Sequence, residues 1–333
     1  MASTVRNNSD SAVFWYFKGG DPWSIESNDE WIKYRDIEMQ IIEEAYQQGK
    51  SEVLLDRYRI DFKELLQFNR ADSSKQRPVR RQLGSEQQEC LRETRFFSPA
   101  PLASTPSYGK LRAWCPFLTK WLESPAGKRA LIDFSSAIDA CINGILVEAK
   151  KHESNSETEA NWMAEQLRAC KTKSRREVSK TCIHLYTRES FLYHVLNTAL
   201  RENDYSRVDT LGPVCFLIRD HSRTCKPFTG KVYRGMNLPY AAIQSYKEAV
   251  GLWRTWPSYT STSKNREMAV LLGNILLIVD IEDLKPSAPR AYNVGEFSQF
   301  PSEEEVLLPA GILFRTISVE QNSQQKYIMK IKI

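Results

Sequence analysis

The chain has no run approaching the roughly 20 consecutive apolar residues that a membrane-spanning helix needs, so none is expected. Its opening, M-A-S-T-V-R-N-N-S-D, lacks the apolar core of a secretory signal, and an intracellular location, cytoplasmic or nuclear, is the expectation. Cysteine is sparse. Cys90, Cys115, Cys141, Cys170, Cys182, Cys215 and Cys225 are scattered, with no C-x-x-C pair and no Cys/His cluster at zinc spacing. That disfavours a RING-type ubiquitin ligase, leaves no metal expected, and reads as reduced thiols. His184 and His194 have no carboxylate or cysteine at ligand spacing and read as packing or surface residues. No G-x-G-x-x-G, Walker loop, H-E-x-x-H or internal repeat occurs. The formal net charge of +5 is too mild to imply direct nucleic-acid binding.

What is present is ordinary globular material, 41% hydrophobic and 26% charged, and 333 residues suggest two domains of about 150 each. Residues 1–11 are expected to be disordered. Residues 12–82 are dense in aromatics: F-W-Y-F from Phe14, Trp23, and W-I-K-Y from Trp31. I-I-E-E-A-Y-Q-Q-G, from Ile41 to Gly49, spaces its apolar residues as a helix and stops on glycine. V-L-L, the alternating R-Y-R-I-D-F-K-E-L-L-Q-F and a basic tail, R-P-V-R-R at Arg77–Arg81, follow. A small half-barrel of strands on one helix accounts for this order. These residues resemble a WWE domain: Trp15, Trp31 with Tyr34, the I-E-E-A-Y helix and Y-x-I-D-F-x-x-L-x-Q stand in that family's order. Phe17 stands where a tyrosine is usual, and Ile32 where a second tryptophan is. The resemblance implies binding of ADP-ribose or poly(ADP-ribose), with Tyr58 on the adenine, Gln67 on polar groups and Arg77 on phosphate. The alternative is a unit used only for protein contacts.

Residues 83–116, rich in Pro and Ser toward their end, read as a linker. From Phe117 the chain is helical. Ala126–Lys151 repeats apolar residues every three or four positions, and Ile183–Glu202 is amphipathic over several turns. After Gly230 short apolar strands take over, at 231–236, 258–263, 274–281, 305–308 and the C-terminus, so residues 117–333 are expected to be an α+β domain. F-S-Q-F-P-S-E-E-E-V-L-L-P-A-G, Phe297 to Gly311, sets three acids between a loop and an apolar strand. In a strand, Glu303 and Glu305 share one face while Glu304 points away.

Arg234-Gly235, Ser261-Thr262-Ser263 and Glu303-x-Glu305, each in strand context, resemble the R-S-E signature of mono-ADP-ribosyltransferases. The likeness takes in the Y-T-R-E helix at Tyr186, V-Y-R-G, Y-T-S-T-S and F-P-S-E-E-E-V-L-L-P, and its paired glutamates resemble the arginine-specific branch. It implies a helical part followed by a split β-sheet core, with NAD⁺ as co-substrate and arginine-bearing proteins as acceptors. Arg234 would hold a phosphate, Gly235 would let backbone approach the nicotinamide, and Ser261 would steady Glu305, with Thr262 and Ser263 beside them. Glu305 would stabilise the oxocarbenium-like transition state through the ribose, while Glu303 would orient the guanidinium and help remove its proton. Phe297 and Phe300 are candidate acceptor-loop contacts. An NAD⁺ glycohydrolase and a non-catalytic ADP-ribose reader remain as alternatives.

Overall fold

A computed structural model of the chain describes residues 13–20, 30–84, 115–152, 156–224, 226–282, 291–295, 297–298 and 301–333. The expected disordered leader, almost all of the expected linker, Cys90, Cys225 and Phe300 lie outside the described residues. The chain divides into two compact units, residues 1–90 with 153–162, and residues 91–152 with 163–333. Among the described residues no helix is long and apolar enough to cross a membrane, and the five described cysteines are free thiols.

The first unit holds β1 (Val13–Lys18), β2 (Trp31–Lys33), α1 (Asp36–Gln47), β3 (Glu52–Leu54), β4 (Tyr58–Asp61), β5 (Leu66–Asn69) and β6 (Gln76–Leu83), in the antiparallel order β2-β1-β6-β5-β4-β3. The expected basic tail is therefore strand β6. Its residues Gln76–Pro78 pair with β5 and Val79–Leu83 pair with β1. Proline has no N–H to give a ladder, and Pro78 stands at the changeover between the two neighbours. α1 starts at Asp36, five residues before its apolar repeat, because Glu38 turns back to accept from the Arg35 N–H at 3.2 Å. The helix presses Met39 and Ile42 onto a core of Phe14, Trp15, Tyr34, Leu55, Ile60 and Val79.

Glu43 of α1 accepts from Trp15 Nε1 at 2.8 Å and from Arg81 Nε and Nη2 at 3.0 and 2.8 Å. Burial alone would raise its pKa, but the hydrogen bonds from Arg81, Gln47 and Trp15 win and hold it at about 2, against an ordinary 4.5. The unfolded chain thus binds this proton first, so the stabilisation is whole above pH 4.5 and is lost as pH falls toward 2. Thermal melts should show a shallower acid-side loss of stability over that window in Glu43→Gln than in the native sequence.

The second unit begins with helices: α2 (Pro116–Glu123), α3 (Pro125–Ile132), α4 (Phe134–Lys151), α5 (Glu157–Cys170, whose first residues cluster with the first unit), α6 (Arg175–Thr187), α7 (Phe191–Glu202) and α8 (Val208–Thr224). Two expected helices are broken. Asp133 is extended and caps α4 through the Ser135 N–H, splitting Ala126–Lys151. Arg188 and Ser190 are extended, splitting Ile183–Glu202 between α6 and α7. α4 and α8 cross so closely that a Cβ on Gly144 would lie 1.9 Å from the Thr210 carbonyl oxygen. One turn on, the fully buried Glu148 carboxylate accepts from Thr210 Oγ1 at 2.6 Å and Arg207 Nη1 at 2.9 Å. Removing it leaves the Arg207 charge without that partner, so Glu148→Ala should cost about 3 kcal/mol, read as a lower urea midpoint at unchanged slope.

The strands follow: β7 (Gly230–Met236), β8 (Trp253–Trp256), β9 (Thr260–Ser263), β10 (Ile275–Ile281), β11 (Tyr292–Asn293), β12 (Glu305–Leu308), β13 (Ile312–Gln321) and β14 (Tyr327–Lys332), with α9 (Tyr240–Glu248) and α10 (Arg266–Leu271) between them. They form one eight-stranded sheet in the order β11-β12-β9-β7-β10-β14-β13-β8, in which only β10 and β14 run parallel. β7 and β9 share a single registered pair, Tyr233 with Ser263. The sheet is thereby nearly divided into a three-stranded and a five-stranded part. Val232, Met236, Ile275, Leu277, Val306, Phe314, Met329 and Ile331 are core residues on both parts.

Candidate active site

The site gathers where the two parts of the sheet meet. Each predicted segment sits at a strand end: Arg234-Gly235 at the end of β7, Ser261-Thr262-Ser263 on β9, Glu305 opening β12. Val232 and the run Val306-Leu307-Leu308 are fully buried, and they fix where along each strand the polar residues fall. Arg234 is 4% exposed, and its Nη1 donates to the Ser261 carbonyl oxygen at 2.6 Å, tying the end of β7 to β9. Ser263 is the cross-strand partner of Glu305 and of Tyr233. Ser261 lies two residues along on the same face as Ser263, opposite Leu307. Thr262 faces the other way, and its hydroxyl donates to the Val306 carbonyl at 2.7 Å, bracing β9 against β12.

The acidic triplet is not the strand its composition suggests. Glu303 ends a single 3₁₀ turn, Pro301–Glu303, and Glu304 has φ +45°, in the left-handed region. β12 starts only at Glu305. Glu303 and Glu305 nonetheless both turn inward, 3% and 0% exposed, while Glu304 faces solvent. The cause is the left-handed residue between them, a conformation that costs a non-glycine residue about 1 kcal/mol or more and persists where the surroundings enforce it. Ser263 supplies part of that enforcement: its Oγ donates to the Glu303 carbonyl at 2.7 Å and accepts from the Asn265 N–H at 2.9 Å. The Glu304 carbonyl accepts from the Lys264 N–H at 3.2 Å, and the Glu305 carbonyl from the Val294 N–H at 3.0 Å.

Gly235 shows a packing reason for glycine. A Cβ there would come 2.2 Å from the Ala269 carbonyl oxygen and 2.5 Å from Leu272 Cβ, so only glycine admits the end of α10 against β7.

The sequence reading missed Arg201. Burial pulls this guanidinium below its ordinary value, and the neighbouring Arg234 pushes the same way against Tyr193 and Tyr186. Arg201 Nη2 donates to Thr198 Oγ1 at 3.1 Å, and one turn back the buried Asn197 donates from Nδ2 to the Tyr186 hydroxyl at 2.8 Å. Arg234 is buried and Arg201 half-enclosed, and guanidiniums brought near each other repel, a repulsion that a bound anion would lessen. The signal was available: Asn197 and Arg201 are one helical turn apart on a helix otherwise buried through Leu192, Leu196 and Leu200.

In the first unit, Tyr58, Gln67 and Arg77 do share one face: Gln67 pairs with Ile60 on β4 and with Arg77 on β6, and Tyr58 is two residues from Ile60. Gln67 is 2% exposed, and Tyr34 donates its hydroxyl to Gln67 Oε1 at 2.5 Å. Burial, with Glu38 and Tyr58 nearby, pushes the Tyr34 phenol well above its usual range. Arg77 Nη1 donates to the carbonyls of Lys18 and Gly20 at 2.8 and 3.0 Å. Tyr34 belongs to this set and was read from the sequence only as a family marker.

A family model described as the WWE domain matches residues 13–81. A second, described as NAD:arginine ADP-ribosyltransferase, matches residues 145–332, more than half of the chain. The chain belongs to the NAD:arginine ADP-ribosyltransferase family. It is an ADP-ribosyltransferase with NAD⁺ as the substrate of its family, carrying a WWE domain at residues 13–81. No curated protein matches the chain. Similar solved structures include the ADP-ribosyltransferase HopU1 of Pseudomonas syringae pv. tomato, 18% identical, covering 51% of this chain and 86% of that one with a TM-score of 0.42. The type III effector XopAI from Xanthomonas axonopodis pv. citri is 12% identical, covering 65% and 96% with a TM-score of 0.44. Exoenzyme S from Pseudomonas aeruginosa, bound to carba-NAD, is 16% identical, covering 59% and 88% with a TM-score of 0.40.

Proposed function

We propose that this ADP-ribosyltransferase moves ADP-ribose from NAD⁺ to arginine side chains of proteins and releases nicotinamide. The observation that carries the reading is the pair of inward acids, Glu303 and Glu305, set on either side of the left-handed Glu304. Two cationic species have to be met in this reaction, the oxocarbenium-like sugar and the guanidinium, and each takes one carboxylate.

Arg234 and Arg201 hold the two phosphates of NAD⁺, Arg234 with a planar fork that suits a phosphate oxygen. Glu305, fixed by the register of β12 on β9, acts through the ribose 2′-hydroxyl, with Ser261 on the same face steadying it. The C1′–N bond breaks, and nicotinamide leaves with the bonding electron pair. Glu303 orients the acceptor guanidinium, one nitrogen of which closes on C1′ and gives up its proton to the carboxylate. Phe297 and Phe300 precede the acids in sequence and are candidate contacts for the acceptor. Labelled NAD⁺ offered with agmatine, a free guanidinium, should yield labelled agmatine in step with nicotinamide release. Nicotinamide release with no labelled agmatine would assign the chain to NAD⁺ hydrolysis instead.

The WWE domain holds the enzyme at ADP-ribosylated sites, raising its local concentration there without altering the chemistry. Tyr58 stacks on adenine, Gln67, oriented by Tyr34, reads polar groups, and Arg77 meets phosphate. Tyr58→Ala or Gln67→Leu should each weaken ADP-ribose binding about tenfold in calorimetric titration. Unchanged affinity in both would assign the domain to protein contacts alone.

A further inference from the structure

Glu305 and Glu303 are held by different means. Glu305 is a residue of β12, registered against Ser263 of β9. Glu303 lies outside the ladder, at the end of the connection from β11, so its direction depends on what anchors that connection. Downstream the anchor is Ser263, through the Glu303 carbonyl. Upstream it is Phe297, six residues before Glu303, and Phe297 is gripped on three sides. His184 Nδ1 is 2.7 Å from its carbonyl oxygen, Lys180 Nζ is 4.4 Å from its ring centre, and the His221 ring meets it edge-on at 5.5 Å and 80°. Lys180 and His184 are one turn apart on α6, and His221 comes from α8, where it also meets Tyr292 of β11 at 5.6 Å.

The protons on His184 are settled by its neighbours. Arg188 Nη2 lies 2.9 Å from Nε2, and a guanidinium only donates, so Nε2 accepts. The remaining proton is on Nδ1, facing a carbonyl that only accepts. The break between α6 and α7 makes this arrangement, because the extended Arg188 folds its side chain back over the last turn of α6. Burial, and then Arg188, holds the imidazole pKa down at about 4, so the neutral form is kept at ordinary pH.

We infer that His184 is a positioning residue for arginine transfer, its Nδ1–H latching the Phe297 carbonyl to α6 so that the β11–β12 connection presents Glu303 to the acceptor. The latch rests on the arginine reading for its effect on activity, but not for its own existence. Losing one such hydrogen bond loosens Glu303 and leaves Glu305 in its ladder. The ratio of NAD⁺ hydrolysis to arginine transfer is what moves.

The test uses the full chain with His184→Ala, His184→Asn and Phe297→Leu. Asparagine places a donor N–H where Nδ1 stood, and Phe297→Leu keeps the carbonyl while removing the ring. Amide exchange of residues 291–298 is followed beside nicotinamide release and agmatine labelling. His184→Ala should speed exchange in that segment and raise the hydrolysis-to-transfer ratio about tenfold, and His184→Asn should return both to within about twofold of the native chain. Phe297→Leu should shift the ratio less than His184→Ala. Faster exchange in His184→Ala with no agmatine labelling by the native chain would uphold the latch and end the arginine reading. Unchanged exchange, an unchanged ratio, or equal loss of both activities with no rescue by asparagine would overturn the latch.

Discussion

Glu305→Gln is expected to lower nicotinamide release and acceptor labelling together, each by about a thousandfold. The amide is nearly isosteric, so β12 keeps its register with β9 and the Val294 N–H keeps its bond to the residue 305 carbonyl. What disappears is the carboxylate charge that the proposed reading sets against the growing positive charge on the ribose, buried at 0% exposure in surroundings that screen it little. Cleavage of the C1′–N bond precedes or accompanies every fate of the sugar, whether the acceptor is arginine or water. Both products must therefore fall in parallel. Nicotinamide release near the native rate would remove Glu305 from the chemistry, and loss of transfer alone would interchange the roles of the two acids.

Glu303→Gln separates the reactions. Arginine labelling should drop about a hundredfold, because the guanidinium loses both its electrostatic partner and the base that takes its proton. NAD⁺ hydrolysis should stay within about tenfold of native, since water needs no such partner. The Ser263 contact to this residue is to its backbone carbonyl, so the substitution leaves the anchor of the turn intact. Steady-state rates for nicotinamide and for labelled agmatine, taken from the same incubation, check the split. A proportional fall in both would mean that Glu303 serves cleavage, and the division of labour between the acids would be lost.

Much of this site was legible because the polar residues sit at the ends of apolar runs. Those runs have to be buried, so Arg234, Ser261, Ser263 and Glu305 were assigned correctly to strands. The direction of the acids was also read correctly, for the wrong reason. A strand alternates its faces, whereas here a 3₁₀ turn and the left-handed Glu304 produce the same outcome. Such backbone strain depends on Ser263 and Lys264, about forty residues earlier in the chain, and leaves no local trace. The same holds for the second half of β6, Val79–Leu83, whose arginines read as a tail because its partner β1 lies more than sixty residues earlier in the chain. The long helix expected over Ile183–Glu202 hid its own break: the apolar spacing runs through Arg188–Ser190, and the polar R-E-S was the one sign of a new helix start. With the break unseen, His184 read as a packing or surface residue, and its contact could not be placed. Its partner, the Phe297 carbonyl, lies 113 residues away.

The arginine claim is tested most directly by the bond that is made. The native chain, incubated with NAD⁺ and a mixture of folded proteins, is followed by mass-spectrometric mapping of every ADP-ribosylated side chain, with Glu303→Gln run in parallel. ADP-ribose is expected on arginine nitrogen in the native reaction, nearly disappearing in Glu303→Gln while nicotinamide is still released. Modification centred on asparagine, cysteine or carboxylate side chains, or nicotinamide release with no modified protein at all, would contradict the arginine claim.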